Sequence, residues 1–526
     1  MALLIPLLAR FLKRCRRLLL ALLLLPAAVL GATPADFIAL CYHEVERDGS
    51  GGLTRTAVTA GDHAAQFAWL QANGYRPVSL QQILDARQGG AALPEKAILL
   101  TFDDGRRDVY TRVLPLLRLF DYPALVALVG SWLEVPAGGT VDYDGTPQPR
   151  GNFVSWDEVR EMQRSGLVEI ASHSYDLHRG ISANPQGNTQ PAAVTRRFAA
   201  GSYETDEAYL ARIRTDLQRN RELIRRETGV APRAIVWPYG RSNGAAQQIA
   251  SELGMPVGMT LEDGSNDAAT PLTTIRRFLI EETPSLQSYA EALRQRWQPD
   301  PRRSVRVVPS AWSDPEAGLS QTLDRLQRIA PNIAFIDPRA AGEAVLFPTA
   351  AGRPVAADRL NHIAWQSERR AGVPAYIDLP ADWLGDHALL ADLARYVNFA
   401  GLRLPVAPGD PAASAAIATM RRWRWPLALV YAPAAAGVAD DLQRLEAGAL
   451  LQLPATAGPA ASLPLPARRR VLFQFDAAAG PAADIAAAMR RIEADGYRNY
   501  GIDAFPDAGF DAVWRTLSLR AQPLLP

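Results

Sequence analysis

Residues 98–108, ILLTFDDGRRD, join an apolar run to two adjacent carboxylates, Asp103 and Asp104, followed by a glycine. The apolar run is typical of a buried strand. Two like charges side by side raise each other's cost of ionisation unless a positive group lies beside them. Asp-Asp-Gly is also ordinary turn chemistry. This stretch alone therefore leaves two interpretations open: a surface turn after a strand, or a pair of functional acids.

The surrounding chain alternates apolar strand-like runs with helical patterns from residue 36 to about 285. The strand candidates are FIALCYH (37–43), AILLTF (97–102), PALVALV (123–129), LVEIASH (167–173), AIVWPYG (234–240) and PVGMTL (256–261). One helix candidate, SWDEVREMQRSG (155–166), opens with a capping box of Ser155 and Glu158. This alternation predicts parallel strands covered by helices, in an α/β barrel or a doubly wound sheet.

The length of 526 residues predicts two or more domains. We place the first at 33–293, a linker at RQRWQPDPRRS (294–304), and a second α/β domain at 305–526. The second half also carries strand-like runs, among them NIAFIDPR (332–339), VPAYIDLP (373–380), FAGLRL (399–404), PLALVYAP (426–433) and VLFQFDA (471–477).

The charge balance argues against a nucleic-acid partner. Lysine and arginine total 56 and aspartate and glutamate total 55, so the chain has no overall basic field. A neutral partner such as a polysaccharide fits this composition better.

Residues 1–32 are predicted to be a signal peptide. Basic residues precede LLLALLLLPAAVLGA (18–32), an apolar segment followed by small residues. The apolar core is short for a membrane span, although an uncleaved signal anchor stays open as an alternative. Because Cys15 precedes the apolar segment, a lipid anchor is not expected. The only other cysteine is Cys41, so we expect neither an intramolecular disulfide nor a thiolate metal site.

Polar residues follow several of the predicted strands. His43, Asp103, Asp104, His173 and Tyr239 each stand where a strand candidate ends. In parallel α/β folds, chemistry takes place at the carboxyl ends of the strands. We therefore expect these side chains to converge at one rim.

His173 and His178 lie five residues apart in SHSYDLH (172–178). With one carboxylate they could form a His-His-Asp site with open positions, as in catalytic metal centres. A cation bound by one aspartate would let its neighbour stay ionised as a base. The alternatives are a pair of surface histidines and a non-haem iron oxygenase site, and the βα alternation argues against the oxygenase.

The motifs TFDDG, SHSYDLH and WPYG resemble the first three signature motifs of the polysaccharide deacetylases of carbohydrate esterase family 4. LCYHEV (40–45) resembles a motif of the exported subgroup that deacetylates poly-β-1,6-N-acetyl-D-glucosamine in bacterial biofilm systems. In that subgroup the barrel is circularly permuted. The resemblance implies a distorted (β/α) barrel, one divalent metal ion, and removal of N-acetyl groups from the polymer.

The resemblance also assigns roles residue by residue. Asp104, His173 and His178 would be the metal ligands, with zinc expected first and nickel, cobalt or iron as alternatives. Asp103 would be the general base, and His43 would donate a proton to the departing amine.

Further residues near these motifs have less defined roles. A backbone N–H near Tyr239 would hold the oxyanion, and Trp237 and Tyr239 would offer a flat face to a sugar ring. Core packing is the alternative for Trp237. Arg276 or Arg277, in TIRRFLI, would orient a catalytic group. We expect His63 only to pack or cap.

The second domain departs from the pattern of the biofilm deacetylases, whose C-terminal barrel resembles a glycoside hydrolase with paired acids at a strand end. In the matching segment, NFAGLRLPVAPGD (398–410), leucine, arginine and proline stand at those positions. Glycoside cleavage needs two carboxyl groups. We interpret residues 305–526 as a shortened, degenerate barrel that has lost hydrolysis but could bind glycan. Four tryptophans could offer stacking surface: Trp365, Trp383, Trp423 and Trp425.

The sequence thus predicts an exported, periplasmic N-deacetylase of poly-β-1,6-N-acetyl-D-glucosamine. Its expected partners are that polymer and an outer-membrane export porin. Two alternatives stay open: a non-catalytic glycan-binding protein on a deacetylase fold, and a deacetylase of another N-acetylated glycan such as chitin or peptidoglycan.

Overall fold

A computed structural model describes residues 35–49, 54–281, 284–294, 301–434, 437–457, 463–504, 513 and 516–518. The predicted signal peptide, residues 1–32, lies outside the described residues, as does most of the predicted linker. Within these ranges, none of the helices combines the length and the apolar character that a membrane crossing requires.

The first domain is built on a sheet of eight parallel strands in the order β15-β14-β9-β6-β5-β1-β16, with β4 beside β5. Its strands, with those of four small hairpins or pairs, are β1 (Phe37–Tyr42), β2 (Val45–Glu46), β3 (Val58–Thr59), β4 (Arg76–Pro77), β5 (Ala97–Phe102), β6 (Ala124–Leu128), β7 (Thr140–Tyr143), β8 (Thr146–Pro149), β9 (Val168–Ser172), β10 (Gly180–Ser182), β11 (Thr189–Pro191), β12 (Phe198–Ala199), β13 (Ser202–Tyr203), β14 (Ala234–Val236), β15 (Val257–Met259) and β16 (Phe278–Leu279).

Within the described residues, a parallel bridge between Met259 and Ile275 links β15, at one end of this sheet, to the segment that leads to β16 at the other end. The chain then continues from Ile275 into β16, which pairs with β1. The result is a distorted barrel, and the fold expected from the sequence is confirmed. The six strand candidates of this half all contain strands, and β1 and β5 are buried along their whole length because helices cover the sheet.

The helices of the first domain are α1 (Ala60–Ala72), α2 (Leu80–Arg87), α3 (Leu114–Phe120), α4 (Gly130–Leu133), α5 (Trp156–Arg164), α6 (Asp206–Thr228), α7 (Gly244–Glu252) and α8 (Leu286–Arg294). The predicted capping box opens α5: the Ser155 hydroxyl accepts from the Glu158 N–H, and the Glu158 carboxylate accepts from the Ser155 N–H. The sequence signal for this helix is therefore confirmed.

The second domain is a closed barrel of eight parallel strands. They are β17 (Arg303–Val307), β18 (Ile333–Ile336), β19 (Ala375–Asp378), β20 (Gly401–Leu404), β21 (Ala428–Tyr431), β22 (Leu450–Pro454), β23 (Val471–Phe475) and β24 (Asn499–Ile502). The helices between them are α9 (Pro315–Ile329), α10 (Leu360–Ala371), α11 (His387–Tyr396), α12 (Pro411–Arg421), α13 (Val438–Arg444), α14 (Leu465–Arg468) and α15 (Ala482–Ala494). This barrel has the full number of strands of a (β/α)₈ barrel.

The predicted linker needs a correction at its end, because strand β17 begins at Arg303 within it. The arginine content of this segment resembles a solvated linker, but Arg303 is buried. Its guanidinium lies 3.6 Å from the centre of the Tyr500 ring, which offsets the loss of solvent.

The two domains pack against each other directly. Helices α6 and α7 share one buried apolar cluster with the barrel helices, to which Ile213, Ile249 and Leu389 belong. Polar contacts surround it: Gln190 Nε2 donates to Asn361 Oδ1 at 3.0 Å, and Arg395 Nη2 lies 2.9 Å from Asp206 Oδ2.

Candidate active site

The polar residues predicted at strand ends converge. Asp104 follows β5 and His173 follows β9, and His178 lies five residues further along the same loop. Asp104 Oδ1 is 3.3 Å from His173 Nε2 and 3.4 Å from His178 Nε2. Asp104 has a positive φ of 71°. Such a conformation is uncommon for a residue with a side chain and is often found at functional sites.

This group has the properties of a divalent-cation site. Within the described part of the chain, the buried Asp104 Oδ1 has no hydrogen-bond partner, although both imidazoles are aimed at it. Burial would raise the pKa of Asp104, but His178 and His173 hold it well below its usual range. An anionic oxygen and two imidazole nitrogens, all within 4.8 Å of one another, are a donor set that Zn²⁺ and similar ions accept.

The Nδ1 atoms of the two histidines have different neighbours: a hydrogen-bonded carbonyl for His173 and a nearby carboxylate for His178. His173 Nδ1 donates to the Val236 carbonyl at 2.7 Å, so its Nε2 is left as the free acceptor nitrogen. His178 Nδ1 lies 3.4 Å from Asp144 Oδ1. Metal-binding histidines usually have such a partner on the second ring nitrogen.

The β7–β8 hairpin brings two residues to the site that the sequence analysis missed. The Tyr143 hydroxyl donates to Asp104 Oδ2 at 2.5 Å, and Asp144 Oδ1 accepts from the Tyr239 hydroxyl at 2.5 Å. The Asp-Gly pair at 144–145 is a hairpin signal that could have been detected. No local sequence signal shows that this hairpin docks beside Asp104 and His178.

Arg277 is the positive group beside Asp103. Its Nη1 and Nη2 donate to the two carboxylate oxygens at 2.7 and 2.9 Å, and both side chains are buried. Burial alone would raise the pKa of Asp103, but the Arg277 charge outweighs it and lowers this pKa to about 2. The two adjacent acids therefore have different neighbours: Asp103 pairs with an arginine and Asp104 faces two histidines. Of the two arginines considered, the structure places Arg277 at the site.

His43 directly follows strand β1 and lies beside Asp103. It is partly exposed, and its Nδ1 is 3.9 Å from Cys41 Sγ, which in turn is 3.4 Å from Asp103 Oδ2. Cys41, His43 and Asp103 form a second group with ligand-type atoms within 4.8 Å. Burial raises the pKa of the Cys41 thiol, and Arg277 already occupies both oxygens of Asp103. This second group is therefore a poor cation site.

The prediction for Trp237 as a sugar-binding face is wrong. Its side chain is fully buried in the apolar cluster, because this residue at the end of β14 points into the core. Tyr239 is partly exposed, and its ring centre lies 4.5 Å from that of His178. His63 packs against Phe67 and Tyr42, as expected.

The carboxyl-end mouth of the second barrel is lined by ion pairs. Asp337 contacts Arg339 and Arg306, and Asp378 contacts Arg306 and Arg403 at 2.7 Å each. Arg403 is the arginine of the segment in which the paired acids are missing.

Two of the four tryptophans considered as stacking surface do not fit that role. Trp383 and Trp423 are buried, because each packs in the core with an arginine over its ring. Trp365 and Trp425 are partly exposed.

Comparison with known proteins gives a consistent result. Residues 90–258 match the polysaccharide deacetylase family. A protein named poly-beta-1,6-N-acetyl-D-glucosamine N-deacetylase from Escherichia coli (strain K12) is 37% identical over 357 residues, which cover 65% of this chain and 53% of that protein. The chain thus spans about half the length of this relative.

Two solved structures are similar to about half of the chain. The BpsB deacetylase domain from Bordetella bronchiseptica is 43% identical, with a TM-score of 0.44, and the match covers 48% of this chain and 97% of that one. A de-N-acetylase from Aggregatibacter actinomycetemcomitans is 37% identical, with a TM-score of 0.47, over 49% of this chain and 99% of that one.

Proposed function

We propose, from the premise that residues 90–258 belong to the polysaccharide deacetylase family, that this protein is a metal-dependent N-deacetylase of poly-β-1,6-N-acetyl-D-glucosamine. One observation carries the proposal: the two adjacent acids have different partners. Asp103 is paired with Arg277, whereas Asp104 lies beside His173 and His178. The name of the Escherichia coli relative supports the choice of polymer.

Each side chain has a role that its surroundings support. Asp104, His173 and His178 would hold one divalent ion, which as a Lewis acid lowers the pKa of water and polarises the acetyl carbonyl. Asp103, kept ionised by Arg277, would accept a proton from the attacking water. His43, which lies near Cys41 and Asp103, would donate a proton to the departing amine.

The backbone amide of Tyr239 is suited to binding the oxyanion. Among the described residues, none accepts a hydrogen bond from this N–H, whereas the Gly240 N–H donates to the Trp237 carbonyl at 2.8 Å. A free donor at a strand end next to the metal ligands is the feature that stabilises developing negative charge. The Tyr239 ring would then border the sugar.

The experiment is to measure amine release from the β-1,6-linked polymer, with chitin and peptidoglycan as parallel substrates. We expect release from the β-1,6 polymer by the wild type and none by Asp103→Asn, whose metal content should equal that of the wild type. Amine release only from chitin or only from peptidoglycan would show that the substrate is that glycan and not the β-1,6-linked polymer. No release from any of the three would favour a glycan-binding protein.

For the second barrel we propose that glycosidic bonds are not cleaved. Cleavage needs one carboxyl group to donate a proton and a second to act as base or nucleophile. Two strand-end acids, Asp337 and Asp378, are ion-paired with arginines. Two others, Asp476 and Asp503, accept hydrogen bonds from the backbone N–H groups of Ala478 and Ala477. Incubating partly deacetylated polymer with the intact chain should leave the distribution of chain lengths unchanged, and shortened products would refute the loss of hydrolysis. Any retention of polymer would then rely on contacts other than this acid pair.

We also propose that the protein is exported to the periplasm and acts beside an outer-membrane export porin. The basic and apolar pattern of residues 10–32 supports export. Fractionation of cells expressing the chain tests the location, and recovery in the cytoplasm would contradict it.

A further inference from the structure

The loop that carries the Tyr239 amide is held in an unusual conformation. Tyr239 has φ 57° and Gly240 has φ 66°, so two successive residues adopt left-handed backbone. Gly240 has no room for a side chain, since a Cβ there would lie 2.4 Å from the Leu261 nitrogen. A left-handed tyrosine is strained and persists only where its surroundings fix it.

The second domain supplies part of those surroundings. Directly after the loop, Ser242 forms an antiparallel bridge with Trp425, and the Ala245 N–H donates to the Arg422 carbonyl at 2.9 Å. Gly244 lies so close to the barrel that a Cβ there would meet the Arg421 carbonyl oxygen at 2.8 Å. The segment after Tyr239 is thus docked on the end of barrel helix α12.

One charged contact holds the loop itself. Arg241 Nη2 donates to Glu368 Oε1 on barrel helix α10. Glu368 Oε2 accepts from Asn398 Nδ2 at 3.0 Å, and Asn398 Oδ1 accepts from Arg424 Nη1 at 3.0 Å. Glu368 is therefore the only carboxylate in this connected set, which also contains two arginines. Without Glu368, Arg241 would lose its hydrogen-bonded carboxylate while still facing the positive charge of the buried Arg424.

We propose that Glu368 is a positioning residue for the deacetylase site, through its contact with Arg241. The barrel then contributes to turnover without touching the reacting groups, because it keeps the Tyr239 amide where the oxyanion forms. This inference rests on the proposed deacetylase function.

The experiment uses the intact chain and a short soluble β-1,6-linked N-acetylglucosamine oligomer. We expect Glu368→Ala to lower kcat about tenfold, as for displacement of a catalytic donor by a fraction of an ångström, with KM within twofold of the wild type. Asp206→Asn is the matched control. It removes a carboxylate of similar exposure that pairs with a barrel arginine, Arg395, at the same domain interface, and its kcat should equal that of the wild type.

A double-mutant cycle separates positioning from loss of stability. If Glu368 acts through Arg241, then Arg241→Ala and Arg241→Ala/Glu368→Ala should have the same kcat as Glu368→Ala. If the kcat losses of the two single variants multiply in the double variant, the two residues act independently and the inference is overturned. An unchanged kcat in Glu368→Ala would also overturn it. Equal losses of kcat in Glu368→Ala and Asp206→Asn would also overturn it, because losing any charged contact at the domain interface would then lower turnover.

A second readout does not depend on activity. Hydrogen exchange at the Gly240 and Arg241 amides, which donate to Trp237 and Pro238 carbonyls, should become faster in Glu368→Ala and stay unchanged in Asp206→Asn. An inactive wild type would refute the proposed function, while the exchange result would still decide whether Glu368 orders the loop. Unchanged exchange in Glu368→Ala would contradict it.

Discussion

Arg277 holds both carboxylate oxygens of Asp103 in a buried, two-point contact, with distances of 2.7 and 2.9 Å. Arg277 also donates to the Thr260 carbonyl and to the Thr101 hydroxyl, each at 3.0 Å. These two contacts hold the guanidinium in position independently of Asp103. This contact keeps Asp103 ionised and sets the direction in which its carboxylate faces the site.

Replacing Arg277 with lysine should lower kcat about 100-fold, because an ammonium group cannot reproduce the planar two-point contact and the base would be misplaced. Metal content, measured by elemental analysis, should stay at the wild-type level, since the hydrogen bonds of Arg277 among the described residues go to Asp103, Thr101 and Thr260 and not to the proposed ligands Asp104, His173 and His178. Arg276→Lys is the control on the neighbouring residue and should retain wild-type kcat. A wild-type kcat in Arg277→Lys would show that the contact is not needed.

Asp144→Asn should weaken metal binding about tenfold, because the negative charge beside His178 Nδ1 is lost. The measurement is the dissociation constant of the ion, obtained by competition with a chelator. Asp142→Asn serves as the control on the same hairpin, where the exposed Asp142 accepts from the Gly145 N–H. Equal affinity in Asp144→Asn and wild type would contradict the role of Asp144.

His63→Phe should make the protein less sensitive to acid. Burial lowers the pKa of His63 to about 3, and neither ring nitrogen has a partner within the described residues. Below the unfolded pKa of about 6.5, the unfolded chain binds a proton that the folded chain does not, so stability falls as pH falls. Between pH 7 and 5 the wild type should lose about 2 kcal/mol more unfolding free energy than the variant.

The measurement is urea unfolding of both proteins at each pH. The phenyl ring keeps the packing against Phe67 and Tyr42, so the comparison isolates the titration. Parallel pH dependences would show that His63 is not the acid-sensitive group.

The sequence predicted the parts of the site that lie directly at strand ends. Asp103, Asp104 and His173 each follow a buried apolar strand, and the parallel arrangement brings such ends together. Tyr143 and Asp144 could not be placed in this way, because their hairpin reaches Asp104 and His178 through tertiary packing alone. The same holds for Glu368, which comes from the other domain.

Two errors have local physical reasons. Trp237 directly follows a strand that is buried along its whole length. A side chain there can turn into the core or toward the rim of the barrel, and the sequence does not say which. Strand β17 was hidden because Arg303 and Arg306 interrupt its apolar pattern. Both arginines contact partners distant in sequence: Tyr500 for Arg303, and Asp337 and Asp378 for Arg306.

The most direct test of the central claim is metal removal and restoration. Amine release from the β-1,6-linked polymer is measured before chelation, after chelation, and during stepwise addition of zinc, with Asp104→Asn treated in parallel. We predict that chelation abolishes release, that about one equivalent of zinc per chain restores it, and that Asp104→Asn stays inactive and binds zinc far more weakly. Full activity in the metal-free wild type, or restoration of Asp104→Asn by one equivalent of zinc, would contradict the account.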